Sequence, residues 1–278
     1  MDQFREKISG SVWLSELDVI QTKSNEKQNI IYLRSPDYGR VLVIDDELQH
    51  VEAWAPLYHE MITHLPCSFF SEIGNVLILG GGSLFAAQEL LKYDSLQSID
   101  LVDHDMDVIS ATLEVYPERQ GVAEDVRLNI IEDRFQDFLD YSSEKYDLII
   151  NDCCDLYKVD KESKTDYYKK LESFLSERGI VSDLLYRSIY TDTHSKQALA
   201  RVPKELNRAA SLFAVPEYPG CMHILSMWGH NNELNQSHVR SINNKQYAME
   251  KSGAFEIFSP EFLRYYLYLP PYFSKYTK

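Results

Sequence analysis

The chain has 278 residues, 44% of them hydrophobic and 26% charged, a balance typical of one large α/β domain with a smaller addition. Its net charge of −15 argues against a nucleic-acid partner, and it is compatible with a cationic substrate or simply with solubility. No apolar run is long enough to cross a bilayer and the N-terminus has no signal-peptide pattern, so we expect a cytoplasmic protein without a membrane partner. The four cysteines lack zinc-type spacing, which predicts reduced thiols and no metal site.

Residues 1–65 are predicted to form a small N-terminal antiparallel β domain built of hairpins. The β-prone runs occupy residues 12–14, 29–33 and 40–44, and residues 35–39 have the composition of a turn. From residue 56 apolar residues repeat at intervals of three and four, which predicts a helix leading into the second domain.

Residues 66–278 are predicted to form the second domain, a Rossmann-like doubly wound sheet, because strands and helices alternate along it. The predicted strands are residues 76–79, 98–102, 126–131, 146–150 and 179–182. The predicted helices are residues 84–93, 106–116, 135–141 and 166–175. Residues 209–218 and 223–228 are predicted to add strands, and the polar segment 231–241 is predicted to be an exposed connection.

A glycine-rich turn after the first of these strands predicts a nucleoside site. Its loop is Gly80, Gly81, Gly82 and Ser83, between an uncharged apolar run and a helical pattern. Glycines allow close backbone approach to a ligand, and a helix N-terminus offers free N–H groups. Asp103 ends the next strand about twenty residues later, the spacing at which a carboxylate reaches a ribose. Capping of the helix that begins near Met106 is the alternative role for Asp103.

Further acids follow later strands at the same predicted edge. Asp133 could accept a hydrogen bond from an adenine amino group, or it could cap the helix that starts near Phe135. Asp152 and Asp155 follow the buried run 146–150 and could converge on a bound cation or on a proton to be removed. Capping of a helix or turn is again the alternative.

Two tyrosines are weaker candidates. Tyr58 could order an amine or the nucleotide, or it could simply pack in the core, and Tyr218 lies in a turn from which it could close over a pocket. His59 and His64 are five residues apart, which is not a metal-binding spacing. The glycines are not followed by Gly-Lys-Ser, so they do not form a phosphate-binding Walker loop.

The order of these motifs resembles the spermidine synthase (polyamine aminopropyltransferase) family, from about residue 28 to the C-terminus. Each match is short, but many matches in one order make a specific signal. The matching segments are Gln28-Asn29-Ile30-Ile31, Val43-Ile44-Asp45-Asp46-Glu47-Leu48-Gln49, Tyr58-His59-Glu60-Met61, Gly80-Gly81-Gly82, Val102-Asp103-His104-Asp105, Asp133, Asn151-Asp152-Cys153-Cys154-Asp155, Tyr218-Pro219-Gly220 and Phe258-Ser259-Pro260-Glu261.

The resemblance implies a methyltransferase-like fold, no permanently bound cofactor, and decarboxylated S-adenosylmethionine as co-substrate. Its nucleoside would lie on the glycine loop, with the ribose on Asp103 and the adenine near Asp133. A diamine such as putrescine would lose a proton to Asp152 and attack the carbon next to sulfur, releasing methylthioadenosine. The resemblance also implies a homodimer or homotetramer. The amine site would be completed by Asp155, Tyr58, Tyr218, Gln49 and Gln28.

Three departures from the family pattern keep other functions open. Ser83 stands where the family has an aspartate that contacts the donor amine, and Arg134 stands where it has glycine. The segment from Ser182 to Tyr186 replaces a glutamine-rich strand end. An enzyme that uses intact S-adenosylmethionine for methyl or aminocarboxypropyl transfer is one alternative, and a nucleoside-binding homologue without activity is another.

Overall fold

A computed structural model describes residues 3–5, 12–153, 156–163, 166–185, 197–218, 222–235 and 240–271. The N-terminal part is antiparallel β-structure, as predicted. Two short strands, β1 (Gln3–Arg5) and β2 (Trp13–Ser15), pair with each other. Four further strands form a meander in chain order: β3 (Asp18–Ser24), β4 (Asn29–Ser35), β5 (Gly39–Ile44) and β6 (Glu47–Val51).

The remainder alternates helices and strands, as a doubly wound fold requires. The helices are α1 (Ala55–Cys67), α2 (Phe85–Leu90), α3 (Met106–Val115), α4 (Gln120–Ala123), α5 (Phe135–Tyr141), α6 (Leu156–Ser163), α7 (Tyr167–Ser173), α8 (Asn244–Lys251) and α9 (Leu263–Tyr266). The strands are β7 (Asn75–Gly80), β8 (Ser98–Asp103), β9 (Leu128–Glu132), β10 (Tyr146–Asp152), β11 (Leu175–Leu185), β12 (Asn207–Phe213) and β13 (His223–Gly229).

These strands form one seven-stranded sheet in the order β12-β13-β11-β10-β7-β8-β9. The strands from β11 to β9 run parallel, whereas β13 is antiparallel to β11 and to β12. The chain leaves β7 toward β8 and β9, and later returns to the other side of β7 as β10. That reversal creates a crevice at the C-terminal ends of β7 and β10, where ligands bind in such sheets.

The four-stranded sheet packs against α3 of the larger domain. Apolar side chains of β4 and β5 meet the apolar face of α3 in a buried cluster that includes Tyr32 and Val115. The Tyr32 hydroxyl also lies 2.7 Å from the Thr112 hydroxyl oxygen within this contact. This packing brings one end of the N-terminal sheet against the crevice.

Helix α1 connects the two parts and holds the C-terminal segment. Buried Glu60 accepts hydrogen bonds from the backbone N–H groups of Glu256, Ile257 and Phe258, at 2.8, 2.9 and 2.6 Å. His64 contacts Glu89 within the core, at 2.8 Å. The predicted boundary at residue 65 falls inside α1, and the division into two domains stays a prediction.

The structure differs from the sequence prediction at several element boundaries. Helix α2 begins one residue later than predicted, because Leu84 has a left-handed backbone (φ 64°). Strand β11 begins at Leu175, where a helix end was predicted. The segment 231–241 is not simply exposed: Asn231, Leu234 and Ser241 are buried. Asn231 donates to a backbone carbonyl of the core, which a polar composition alone does not reveal.

Candidate active site

The crevice holds a cavity of about 400 Å³ at the C-terminal edge of the parallel strands. Side chains from both parts of the molecule line it. The predicted site residues at this cavity are Gln28, Gln49, Tyr58, Gly80, Gly81, Gly82, Ser83, Asp103, Asp133, Asp152 and Tyr218. Asp155, the other predicted site residue, lies outside the described residues.

The glycine loop turns tightly beneath the cavity. Gly80 has a φ of +83°, and a Cβ added there would lie 2.5 Å from the Cβ of Cys153. A Cβ on Gly82 would lie 2.9 Å from Oδ2 of Asp103. Side chains at these two positions would therefore collide with the ends of the neighbouring strands β10 and β8. The loop needs glycine for both its conformation and its close packing.

Asp103 is buried at the end of β8 and holds the loop in place. Its Oδ2 accepts a hydrogen bond from the N–H of Gly82 at 3.1 Å, and its Oδ1 accepts one from the N–H of Asp105 at 3.0 Å. The side chain that caps α3 belongs to Asp105, not to Asp103. Each carboxylate oxygen can accept a second hydrogen bond, so Asp103 retains capacity for ribose hydroxyls.

Asp133 lies beyond β9 on the same edge. Its two oxygens accept hydrogen bonds from the N–H of Arg134 at 2.8 Å and from the hydroxyl of Tyr141 at 2.9 Å. The N-cap residue of α5 is Arg134, and no side chain makes a capping bond there. Capping of α5 therefore does not explain Asp133, which remains a candidate for an adenine contact.

Asp152 ends β10 and faces the cavity next to Tyr58 of α1. The Tyr58 hydroxyl donates to Oδ1 of Asp152 at 2.7 Å. Burial raises the pKa of Asp152 to about 7, the Tyr58 hydrogen bond lowers it, and the negative charge of Asp103 raises it further. A carboxyl group that titrates near neutral pH can accept a proton and release it again.

The N-terminal sheet supplies the opposite wall of the cavity. Gln28 lines the cavity, and its side-chain oxygen is buried without a hydrogen-bond partner among the described residues. Gln49 and His50 both line the cavity, although they are adjacent on β6. His50 packs on the ring of Phe85, with centroids 3.9 Å apart, and burial holds its pKa well below the usual value. These side chains reach the cavity because the N-terminal sheet packs against the larger domain.

The turn before β13 closes the cavity near Tyr218. The Tyr218 hydroxyl donates to the backbone carbonyl of Leu48, at 3.1 Å, which ties this turn to β6. Sequence reasoning missed the preceding residue, Glu217, and missed His50 on β6; both line the cavity. Their only sequence signal was adjacency to Tyr218 and Gln49.

The charges of the cavity favour a cationic ligand. Among the described lining residues the only guanidinium or ammonium group belongs to Arg134. Four lining residues carry carboxyl groups: Asp103, Asp133, Asp152 and Glu217. No group of three or more metal-ligating side chains occurs within the described ranges. Within those ranges no helix is both long and apolar enough to cross a membrane.

Comparisons with known proteins identify the family of the chain. The spermine/spermidine synthase domain matches residues 55–238. The polyamine aminopropyltransferase of Buchnera aphidicola subsp. Schizaphis graminum is 27% identical over 258 residues, covering 91% of this chain and 89% of that protein. The polyamine aminopropyltransferase of Lachnoclostridium phytofermentans is 31% identical over 195 residues, covering 70% of this chain and 68% of that protein.

A solved structure shows the same fold. Spermidine synthase from Thermotoga maritima superimposes with a TM-score of 0.81 at 22% identity, covering 99% of this chain and 94% of that one. The Rossmann-like prediction is therefore confirmed. Taken with the domain match, the chain belongs to the spermine/spermidine synthase family, whose members are transferases.

Proposed function

We propose that this protein transfers an aminopropyl group from decarboxylated S-adenosylmethionine to a diamine such as putrescine, releasing methylthioadenosine. The observation that carries the proposal is Asp152. Burial raises the pKa of its carboxyl group to about 7, Tyr58 donates a hydrogen bond to it, and it lines a cavity with four carboxyl groups. The glycine loop and Asp103 line the same cavity, and they would bind the nucleoside.

The donor would be held along the C-terminal edge of the sheet. Its ribose would donate hydrogen bonds to Asp103, which retains acceptor capacity, and its adenine would lie toward Asp133. Its positive sulfonium would then lie near the glycine loop, between Asp103 and Asp152. The negative charge of these carboxylates stabilises that cation in a poorly solvated site.

Asp152 would prepare the acceptor for attack. An amine is protonated at neutral pH and has no lone pair with which to attack. Asp152 accepts that proton, the nitrogen lone pair forms the new C–N bond, and the C–S bond breaks. The electron pair of that bond remains on sulfur, which becomes a neutral thioether. Because a sulfonium releases a neutral thioether, which is a good leaving group, the protein mainly orients the reactants and removes the proton.

Intact S-adenosylmethionine is the alternative donor, since Ser83 removes a negative charge where the family has aspartate. The cavity charges favour the decarboxylated donor. Its sulfonium and ammonium both complement the four carboxyl groups, whereas the intact donor adds a carboxylate, and the described lining offers one guanidinium or ammonium group, that of Arg134, to neutralise it. Arg134 already lies 3.8 Å from Asp137.

The test offers each donor with a panel of diamines and identifies the products by mass spectrometry. Aminopropylated amine and methylthioadenosine from the decarboxylated donor alone are expected. Methylated or aminocarboxypropylated products would assign the alternative donor, and binding of nucleoside without any transfer would indicate a protein that has lost activity. Ser83→Asp provides a second comparison. This variant should bind the decarboxylated donor more tightly than the wild type does, and it should bind the intact donor more weakly.

We also infer a homodimer or homotetramer in the cytoplasm, with subunits joined through the N-terminal strands. Strand β3 is an edge strand whose Val19 and Ile20 are exposed, and exposed edges are natural pairing sites. Light scattering after gel filtration measures the mass. A monomer at micromolar concentration would contradict this assembly.

A further inference from the structure

Glu217 is a buried acid that the reaction described above does not use. It lies in the turn that follows β12, and 5% of its surface is exposed. The backbone N–H of Val51 hydrogen-bonds its carboxyl group, while Oε2 is buried without a hydrogen-bond partner among the described residues. The side chain nevertheless lines the cavity. A buried polar atom without a partner is costly, and in a cavity a ligand can supply that partner.

The topology places Glu217 on the far side of Asp152 from the nucleoside. The pairing of Leu185 with Ile224 brings the start of β13 to the C-terminal end of β11, so the turn containing Glu217 lies at the ligand-binding edge. Along that edge the β12–β13 turn lies to one side of β10, and β7, β8 and β9 lie to the other. The nucleoside residues belong to this second side.

The other acids of the cavity are assigned to different roles or lie farther away. Asp103 binds the glycine loop, and Asp133 follows β9, three strands from β10 and therefore about 14 Å away at the usual spacing. Asp152 faces the nitrogen that reacts. A diamine has a second nitrogen, which stays protonated and loses part of its hydration on entering the cavity.

We propose that Glu217 binds the ammonium group of the acceptor that does not react, and so selects diamines over monoamines. This inference rests on the proposed aminopropyl transfer. Charge-assisted hydrogen bonds from ammonium to carboxylate are strong when both groups are shielded from water. Tyr218, the next residue in this turn, and Gln49 of β6 line the same cavity. Burial raises the pKa of Glu217 to about 7. Binding of a cation next to this carboxyl group would favour its ionised form.

The test compares 1,4-diaminobutane with 1-aminobutane, which differ by the second amine. In the wild type we expect a strong preference for the diamine in kcat/KM. Glu217→Gln keeps the shape and a carbonyl oxygen for Val51 but loses the charge, and it should reduce that preference at least about tenfold, mainly through KM. The affinity for methylthioadenosine should not change. Glu205→Gln, an identical change at an exposed site, should leave the preference intact.

A second variant covers the case in which Glu217→Gln does not fold. Glu217→Asp keeps the charge but withdraws it by one methylene, so it should keep the diamine preference and move the optimum toward 1,5-diaminopentane. An unchanged preference in Glu217→Gln, or an unchanged length optimum in Glu217→Asp, would overturn the inference while the transfer reaction stands. Absence of transfer by the wild type would overturn both.

Discussion

Replacing Asp152 by asparagine should have opposite effects on turnover and on stability. The amide cannot accept a proton from the amine, and loss of a general base lowers rates by about 10²–10⁴-fold. The nucleoside contacts are elsewhere, so the affinity for methylthioadenosine should stay close to that of the wild type. The carboxyl group itself is costly to the fold when ionised, because burial raises its pKa from 3.8 to about 7.

That shift sets the size and the pH window of the stability effect. The folded state binds the Asp152 proton more tightly than the unfolded state, so the contribution of Asp152 to stability falls as the pH rises from about 4 to about 7. A difference of about three pKa units corresponds to about 4 kcal/mol. The amide of Asp152→Asn does not ionise, so the variant should be more stable than the wild type by up to that amount above pH 7. Below pH 4 the difference should disappear.

The assays are steady-state turnover, calorimetry with methylthioadenosine, and urea unfolding at several pH values. Burial also raises the pKa of Glu217 to about 7, but Glu217 is present in both proteins, so its contribution cancels in the comparison. Asp94→Asn, in which the replaced side chain is 86% exposed, is the matched control and should change none of these quantities. Near-normal turnover, or equal stabilities at pH 8, would refute the reasoning about Asp152.

Three further predictions concern the residues around this site. Tyr58→Phe removes a hydrogen bond that lowers the pKa of Asp152, so the rise of kcat/KM with pH should move to higher pH; an unchanged or lower inflection would contradict that contact. Gly80→Ala should weaken methylthioadenosine binding at least about tenfold and destabilise the protein by about 2 kcal/mol or more, measured by calorimetry and urea unfolding, because the added Cβ meets Cys153 in a left-handed backbone. Glu60→Ala leaves three backbone N–H groups without their acceptor and should cost about 3 kcal/mol or more in unfolding free energy, while protection of residues 256–258 from hydrogen exchange should fall. Unchanged exchange there would show that other contacts hold the segment.

Much of the nucleoside half of the cavity could be predicted from the sequence. An uncharged strand, three glycines and an acid after the next strand are local patterns, and the rule that ligands bind at strand ends turns them into a site. The same rule predicts Asp152 as a site residue, because it comes directly after another buried strand. The structure brings these residues to one cavity.

Two other features of the backbone were not predicted from the sequence, for different physical reasons. Leu84 adopts a left-handed backbone that no propensity favours, and its side chain is fully buried. The buried surroundings of Leu84 therefore outweigh its local preference. Val126, predicted to begin a strand, is 99% exposed and precedes β9. It lies in a turn in which Asp125 accepts hydrogen bonds from the backbone N–H groups of Arg127 and Leu128, at 2.9 Å each.

Residue order alone determined the family, the alternation of strands and helices, and the acids at the strand ends. Only the tertiary structure decided which acid has a raised pKa and on which side of the cavity each lining side chain lies. Gln28 and Glu217 are 189 positions apart, yet both line one cavity, and each has a buried side-chain oxygen without a hydrogen-bond partner among the described residues. Desolvation and unmet hydrogen bonds arise from the surrounding packing, and packing joins segments whose separation along the chain has no fixed relation to their distance in space.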